Sequence, residues 1–145
     1  MEIIRCIPGY DEFAVDALEI MREPDEVIDC DAAVISRFLE KEDNYFFAAV
    51  ENGEVFGYAV VNRLRRPSQK KDMAMMTDLR VLEKLRGKGI GTALVLAAKA
   101  FCSRDGMDVL YLMTDTANAP MRAVAAKTGG VQLGKENGVE YAFVL

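Results

Sequence analysis

The chain has 145 residues, 51% of them hydrophobic, which suits a single domain over residues 1–145 with its own core. A formal net charge of -5 disfavours nucleic acid, whose phosphates need a basic surface, and favours a cationic partner. No apolar run could span a bilayer, and the N-terminus lacks a signal-peptide layout. The three cysteines lack metal-ligand spacing and indicate free thiols. We therefore expect a cytoplasmic protein without a membrane partner.

Apolar periodicity predicts the element order β-α-α-β-β-β-α-β-α-β-β. The elements fall in that order near residues 1–7, 11–21, 31–40, 45–51, 54–64, 73–82, 91–104, 109–115 and 119–129, with a final hairpin over 131–145. Asn52-Gly53 and Asn137-Gly138 are tight-turn pairs, and Asp29 or Asp31 is the candidate N-cap of the second helix. This order favours an α+β (mixed α/β) fold, with a mixed sheet of about six or seven strands and about four helices.

A glycine-rich segment, residues 86–92, lies between a predicted strand and a predicted helix. Glycine brings backbone amides close to a ligand, and a helix N-terminus presents unpaired N–H groups to an anion. The segment therefore predicts a pyrophosphate site, with an ordinary strand-to-helix turn as the alternative. It does not fit a Walker A loop, because Ile90 and Thr92 flank the last glycine. Its mid-chain position also disagrees with a dinucleotide fingerprint.

The segment Leu79-Arg80-Val81, followed by residues 82–94, resembles the signature of the GCN5-related N-acetyltransferase (GNAT) superfamily. In that signature a strand ending in L-x-V precedes Q/R-x-x-G-x-G/A at the start of a helix, and Arg86, Gly89 and Gly91 take the matching positions. Asn118, Lys127 and Gly129 resemble a second element of the superfamily. The predicted element order is also that of the superfamily. Within it, Asp78 before Leu79, and Asp115 before Pro120, are most similar to small aminoglycoside 3-N-acetyltransferases.

The resemblance implies an N-acetyltransferase that uses acetyl-CoA as its cofactor. Its implied cofactor-binding residues are Leu79, Arg80, Val81, Arg86, Gly87, Lys88, Gly89, Ile90, Gly91, Thr92 and Asn118. Backbone amides from about Leu85 to Thr92 would bind the pyrophosphate, and the Leu79–Val81 edge would pair with the pantetheine arm. The Val81 N–H would be catalytic, since it would polarise the thioester carbonyl where negative charge develops. Lys88 is alternatively a solvated loop cation.

Direct acetyl transfer needs an unprotonated amine, and a chain without histidine has no imidazole to act as its base. Asp78 is the best catalytic candidate, because burial in the apolar strand 73–82 would favour its neutral form. It is also a candidate substrate ligand. The alternative is that Asp78 only hydrogen-bonds a neighbouring backbone at a bulge.

Further acidic residues are candidates for binding a cationic amine. Asp115 ends the strand next to that of Asp78, and it either binds substrate or caps the next helix. Glu23 and Asp25 belong to an acidic stretch that continues through Glu26, Asp29 and Asp31 and borders the acceptor site in the superfamily. The alternative for this stretch is a solvated loop.

One position departs from the superfamily pattern. The tyrosine that usually reprotonates the leaving thiolate corresponds to Ala125, and the usual aromatic residue after it corresponds to Gly130. The favoured function is acetyl transfer to a small cationic amine, with an aminoglycoside-like compound as the named candidate. A protein or peptide acetyltransferase and a non-catalytic acyl-CoA-binding module remain as alternatives. Superfamily members often dimerise, so a homodimer is a further expectation.

Overall fold

The protein is described here by a computed structural model that covers residues 1–27, 31–133 and 138–145, without the side chains of 138–140. Its helices are α1 (Glu12–Ile20), α2 (Ala32–Leu39), α3 (Ile90–Arg104) and α4 (Ala119–Lys127). Its strands are β1 (Glu2–Cys6), β2 (Asn44–Glu51), β3 (Glu54–Leu64), β4 (Asp72–Val81), β5 (Met107–Asp115), β6 (Val131–Leu133) and β7 (Gly138–Val144). The predicted order and mixed fold class are confirmed, and the described residues add a short 3-10 helix at Glu83–Leu85.

The strands form a single mixed sheet, in the order β1-β2-β3-β4-β5-β7-β6. Neighbouring strands are antiparallel except for β4 and β5, which run parallel. The connection between those two strands is α3, as a parallel crossover requires. The sheet therefore contains one parallel pair at its centre.

Local signals explain several element boundaries. Asp31 accepts a hydrogen bond from the Val34 amide at 3.0 Å, so it is the N-cap of α2. Asn52 and Gly53 both have positive φ, 52° and 79°, which confirms the predicted turn between β2 and β3. Asp29, the other candidate cap, lies outside the described residues, as do Cys30 and the Asn137 turn position.

Helices cover both faces of the sheet. α3 and α4 pack on one face, where the core includes Phe47, Val61, Leu94 and Phe143. α1 and α2 cover the other face over β2 and β3, around Phe46 and its neighbours. Among the described residues, no helix is both long and apolar enough to cross a membrane.

A β-bulge in β4 decides which face Asp78 occupies. Val61 of β3 lies opposite Met76, but Val60 lies opposite Asp78, so Thr77 is an extra residue in β4. Simple alternation from Met76 would direct Asp78 into the α3 core, because side chains repeat every two residues. The bulge places Leu79 in that core instead and directs Asp78 to the α1 face.

Candidate active site

A cleft opens where β4 and β5 diverge. Their parallel pairing runs from Asp72 opposite Met107 to Met76 opposite Leu112, and no later pair of these strands is formed within the described residues. β5 continues to pair with β7 as far as Asp115. The cleft is lined by Met76, Thr77, Asp78, Leu79, Leu112, Met113, Thr114, Asn118 and Met121. The two strands are therefore separate beyond Met76 and Leu112.

The end of β4 offers backbone groups to this cleft. The Leu82 amide donates to the Phe56 carbonyl of β3 at 2.9 Å. Because consecutive residues of a strand direct their N–H groups to opposite sides, Arg80 also faces β3, whereas Leu79 and Val81 face away from it. Leu79 and Val81 therefore present N–H groups at the edge that β5 has left.

The start of α3 lies beside this edge. Gly89 is its N-cap, with φ of 87° and no side-chain cap. Over the described parts of the chain, no backbone carbonyl accepts from the amides of Ile90, Gly91 or Thr92. A Cβ on Gly91 would lie 3.8 Å from Val81 Cγ2, so the helix begins against the end of β4. These free amides suit an anion such as pyrophosphate.

The structure narrows the set of amides that can bind an anion. Leu85 donates to the Leu82 carbonyl at 2.8 Å, and Arg86 donates to the Glu83 carbonyl at 3.2 Å, both within the 3-10 turn. The Arg86 side chain folds back, and its Nε donates to the Val81 carbonyl at 3.2 Å. Lys88 is exposed. The amides of Leu85 and Arg86 are therefore not available to an anion, which leaves the amides of residues 87–92 as candidates.

Gly57 of β3 is a site residue that sequence reasoning missed. A Cβ there would lie 2.8 Å from the Arg80 carbonyl oxygen and 3.2 Å from both Ile90 Cγ2 and Leu94 Cδ1. The absent side chain lets the first turn of α3 approach the sheet closely. The only signal in the sequence was a glycine inside an otherwise apolar strand.

Asp78 lies in a polar environment, unlike the apolar one predicted for it. Its Oδ2 accepts from the Tyr58 hydroxyl at 2.6 Å, and its Oδ1 accepts from Arg80 Nε at 3.2 Å. Its side chain keeps 33% of its exposure. The expected bulge is next to it, but its partners are side chains rather than backbone. Both contacts stabilise a charged carboxylate.

Arg80 is not near the predicted cofactor edge, because its side chain extends to the α1 face. Its Nη2 donates to Glu26 Oε1 at 2.9 Å, and its Nη1 donates to the Met21 carbonyl at 3.2 Å. The hydrogen bond from Arg80 lowers the pKa of Glu26. Arg80 therefore connects β4 to the segment after α1.

The other acidic candidates are not among the described residues that line the cleft. Asp115 accepts from the Ala117 amide at 2.8 Å and so stabilises the turn before α4. Asn118 caps α4, accepting from the Met121 amide at 3.2 Å, and also lines the cleft. Glu23 and Asp25 are exposed, and in their segment it is Glu26 that contacts the site through Arg80.

The position of the missing tyrosine is enclosed in the core. Ala125 is fully buried on α4, and Met121, one turn earlier, lines the cleft instead. Gly130 is equally confined, since a Cβ there would lie 2.8 Å from Phe143 Cζ and 2.9 Å from the Ala125 carbonyl oxygen. The chain has thus filled this region with Phe143 rather than with side chains at 125 and 130.

Neither cysteine in the described residues is suited to act as a nucleophile. Cys6 and Cys102 are both buried, and burial raises the pKa of each thiol to about 12. No group of three or more acidic or cysteine residues suited to a metal ion occurs in the described part of the chain.

Comparison with known proteins identifies relatives. A sequence model of the acetyltransferase (GNAT) family matches residues 12–130. An uncharacterized N-acetyltransferase, YhfO, from Bacillus subtilis (strain 168) is 28% identical over 111 residues, covering 77% of this chain and 74% of that protein.

Solved structures share the fold. The aminoglycoside acetyltransferase meta-AAC0020 from an uncultured soil metagenomic sample, in complex with sisomicin, has a TM-score of 0.86 at 18% identity over 93% of this chain and 91% of its own. A chain of the NatC complex bound to Gag peptide and CoA has a TM-score of 0.75 at 18% identity, covering 100% of this chain and 99% of its own. The family match spans most of the sequence, and the chain therefore belongs to the acetyltransferase (GNAT) family.

Proposed function

We propose that the protein is an acetyl-CoA-dependent N-acetyltransferase that acts on a small cationic amine. The divergence of β4 and β5 beyond Met76 and Leu112 carries the proposal. It leaves an unpaired strand edge and free helix amides on one side of a cleft and a carboxylate, Asp78, on the other. A donor with a diphosphate and an extended arm fits the first side, and an ammonium group fits the second.

Each part of the chain has a definite role in this proposal. Amides of residues 87–92 bind the pyrophosphate, and the N–H groups of Leu79 and Val81 pair with the extended arm. The Val81 N–H stabilises negative charge on the carbonyl oxygen as the amine attacks the thioester carbon. Asp78 attracts the ammonium form and accepts a proton from it, directly or through one water. The thiolate leaves without a tyrosine at position 125.

The acceptor class follows from charge. Asp78 is the one ionisable side chain among the described residues that line the cleft. Exposed carboxylates outside the cleft lining add to the negative electrostatic field of the protein; they are Glu23, Asp25 and Asp115. Several separated carboxylates suit a molecule with several amino groups, so we propose an aminoglycoside-like acceptor. A peptide amine is the competing acceptor, motivated by the likeness to the NatC chain.

Release of free coenzyme A from acetyl-CoA tests the proposal across aminoglycosides, polyamines and lysine peptides. We expect release with a polyamine-type or aminoglycoside acceptor and a loss of at least about 100-fold in kcat/KM in Asp78→Asn. Asp108→Asn is a matched control. Asp108 is a carboxylate on β5 that is paired with Arg66 away from the cleft, so this variant should keep full activity.

Two results would contradict this function. The first is that acetyl-CoA binds but no amine causes release of free coenzyme A from it. The second is equal loss of activity in Asp78→Asn and Asp108→Asn, since that would point to damaged folding rather than to a role in the cleft. Release with peptides alone would replace the small-molecule acceptor by a peptide.

A further inference from the structure

Asp78 is bound on both of its carboxylate oxygens by groups from different strands. Tyr58 of β3 donates to Oδ2 at 2.6 Å, and Arg80 of β4 donates to Oδ1 at 3.2 Å. A carboxylate held by one donor can still rotate about its χ2 torsion, whose energy profile is broad. Two donors on opposite oxygens remove that freedom.

Both donors are themselves fixed. The Tyr58 side chain is only 1% exposed, and its ring stacks on Phe46 with centroids 5.2 Å apart and planes 16° apart. Burial and the Asp78 carboxylate raise the pKa of Tyr58, so its hydroxyl keeps the proton that it donates. Arg80 is held at its far end by Glu26 and by the Met21 carbonyl.

We propose that Tyr58 and Arg80 are positioning residues of the acceptor site. Together they hold Asp78 in one orientation, with its exposed edge toward the cleft, and Glu26 holds Arg80 in place. This inference rests on the proposed function, because the group being oriented is the one that receives the acceptor amine. It adds Tyr58 of β3 and Arg80 of β4 to the acceptor site, although neither of them lines the cleft.

Charge balance gives the arrangement a chemical consequence. One guanidinium lies between two carboxylates, so Asp78, Arg80 and Glu26 together carry one negative charge when all are ionised. Arg22 also acts on Glu26, but weakly and from an exposed position where solvent and salt screen its charge. The excess negative charge is available to one ammonium group, which can bind without displacing Arg80.

Tyr58→Phe is the primary test, because it removes one oxygen atom and keeps the buried, stacked ring. A hydrogen bond to a charged group contributes enough that we expect kcat with the amine to fall about 10-fold. The KM for acetyl-CoA should not change, since Tyr58 lies on the face opposite α3. A melting temperature close to that of the unmodified protein should accompany these values.

Tyr45→Phe is the matched control. Tyr45 is also a buried strand tyrosine, 4% exposed, whose hydroxyl belongs to a charged cluster around Arg63 at the other end of the sheet. It should lose a hydrogen bond without any change in kcat. Equal kcat values in Tyr58→Phe and Tyr45→Phe would overturn the positioning role.

The second donor to Asp78 is tested with Arg80→Lys and Arg80→Met. Lysine keeps the charge but cannot contact Asp78 and Glu26 together as a planar guanidinium does. We therefore expect partial activity in Arg80→Lys and lower activity in Arg80→Met. The loss should appear in kcat with the amine, while the KM for acetyl-CoA stays unchanged in both variants, because the Arg80 side chain contacts Asp78 and Glu26 rather than the start of α3. Equal kcat values in Arg80→Met and the unmodified protein would contradict the proposal.

A measurement without substrate separates this inference from the proposed function. Carboxyl NMR of protein labelled at aspartate reports the surroundings of the Asp78 carboxylate directly. At neutral pH its signal should move in Tyr58→Phe and in Arg80→Met, because each variant removes one of its two donors, and it should stay in place in Tyr45→Phe. A signal that stays in place in both Tyr58→Phe and Arg80→Met overturns the inference even if no acceptor is found. The expected signal changes in a protein that acetylates nothing would contradict only the proposed function.

Discussion

The two ends of the parallel pair β4 and β5 carry the same kinds of side chain in opposite arrangements. Each end has one buried tyrosine, one arginine and two carboxylates. The cleft end holds Tyr58, Asp78, Arg80 and Glu26, and the closed end holds Tyr45, Arg63, Asp72 and Asp105. At the cleft end the tyrosine donates to a carboxylate, whereas at the closed end the tyrosine accepts from the guanidinium.

This difference decides what each cluster does. Arg63 donates to Tyr45, Asp72 and Asp105 at 3.2, 2.9 and 2.8 Å, the last to a backbone carbonyl, so it joins three strands to the turn before β5. The strands remain paired there. At the cleft end the pairing of β4 and β5 has stopped, and the Asp78 carboxylate keeps an exposed edge. We infer that the closed cluster stabilises the fold and that the open one serves the reaction.

Arg63→Met would break the closed cluster and should have the largest effect on stability. Arg63 is 15% exposed and Asp72 is 21% exposed, so losing the cation leaves a partly buried carboxylate with a single distant arginine. We expect the free energy of unfolding to fall by about 3 kcal/mol, measured by urea denaturation. Arg80→Met should lose less stability but more activity per folded molecule. The reverse ranking would contradict the distinction between the two ends.

Ala125→Tyr tests where the cleft ends along α4. Because Ala125 is fully buried in the core, a tyrosine there must displace packed side chains rather than enter the cleft. We expect a loss of about 2 kcal/mol in unfolding free energy and no gain in kcat. A higher kcat would show instead that the hydroxyl reaches the leaving thiolate.

Gly57→Ala tests the contact between β3 and the first turn of α3. The added Cβ would lie 2.8 Å from the Arg80 carbonyl oxygen, and the nearest atom is backbone, which cannot move aside cheaply. We expect a stability loss of about 1 kcal/mol and a KM for acetyl-CoA raised several-fold, because the helix start shifts. Gly53→Ala, at an exposed turn, is a control for glycine replacement and should leave that KM unchanged.

The smallest expected effect is on stability in acid, where one carboxylate from each of the two clusters can be compared. Hydrogen bonds from arginine lower the pKa of Asp72 below its ordinary 3.8 and that of Glu26 below its ordinary 4.5. A lowered folded-state pKa contributes stability above the unfolded value and loses it as the pH falls through the folded value. The melting temperature should therefore fall between pH 5 and pH 3, and less steeply in Asp72→Asn and Glu26→Gln.

The exposed carboxylate Asp25 supplies the control for that titration. Asp25→Asn should leave the slope of melting temperature against pH as it is in the unmodified protein. A slope that responds equally to all three substitutions would mean that general charge, rather than the two arginine pairs, governs acid stability.

Much of the fold could be predicted because its signals are local. Apolar periodicity located the helices, Asn52 and Gly53 fixed a hairpin, and Asp31 capped α2 as expected. The glycine segment before α3 was recognisable for the same reason. A bulge near Asp78 was only an alternative in the sequence, since the extra residue, Thr77, is visible only in the pairing of two strands. The favoured apolar strand pattern placed Asp78 in the wrong environment.

The sequence alone determined the element order, the family and the glycine-rich start of α3, because each depends on residues that are adjacent in the chain. Only the tertiary structure decided what surrounds Asp78. Tyr58 and Glu26 are 20 and 52 positions away from it, and they reach its cluster through strand register and through the packing of the segment after α1. A carboxylate's partners, unlike a turn's, are chosen by contacts between distant segments, and the chemistry of this cleft depends on them.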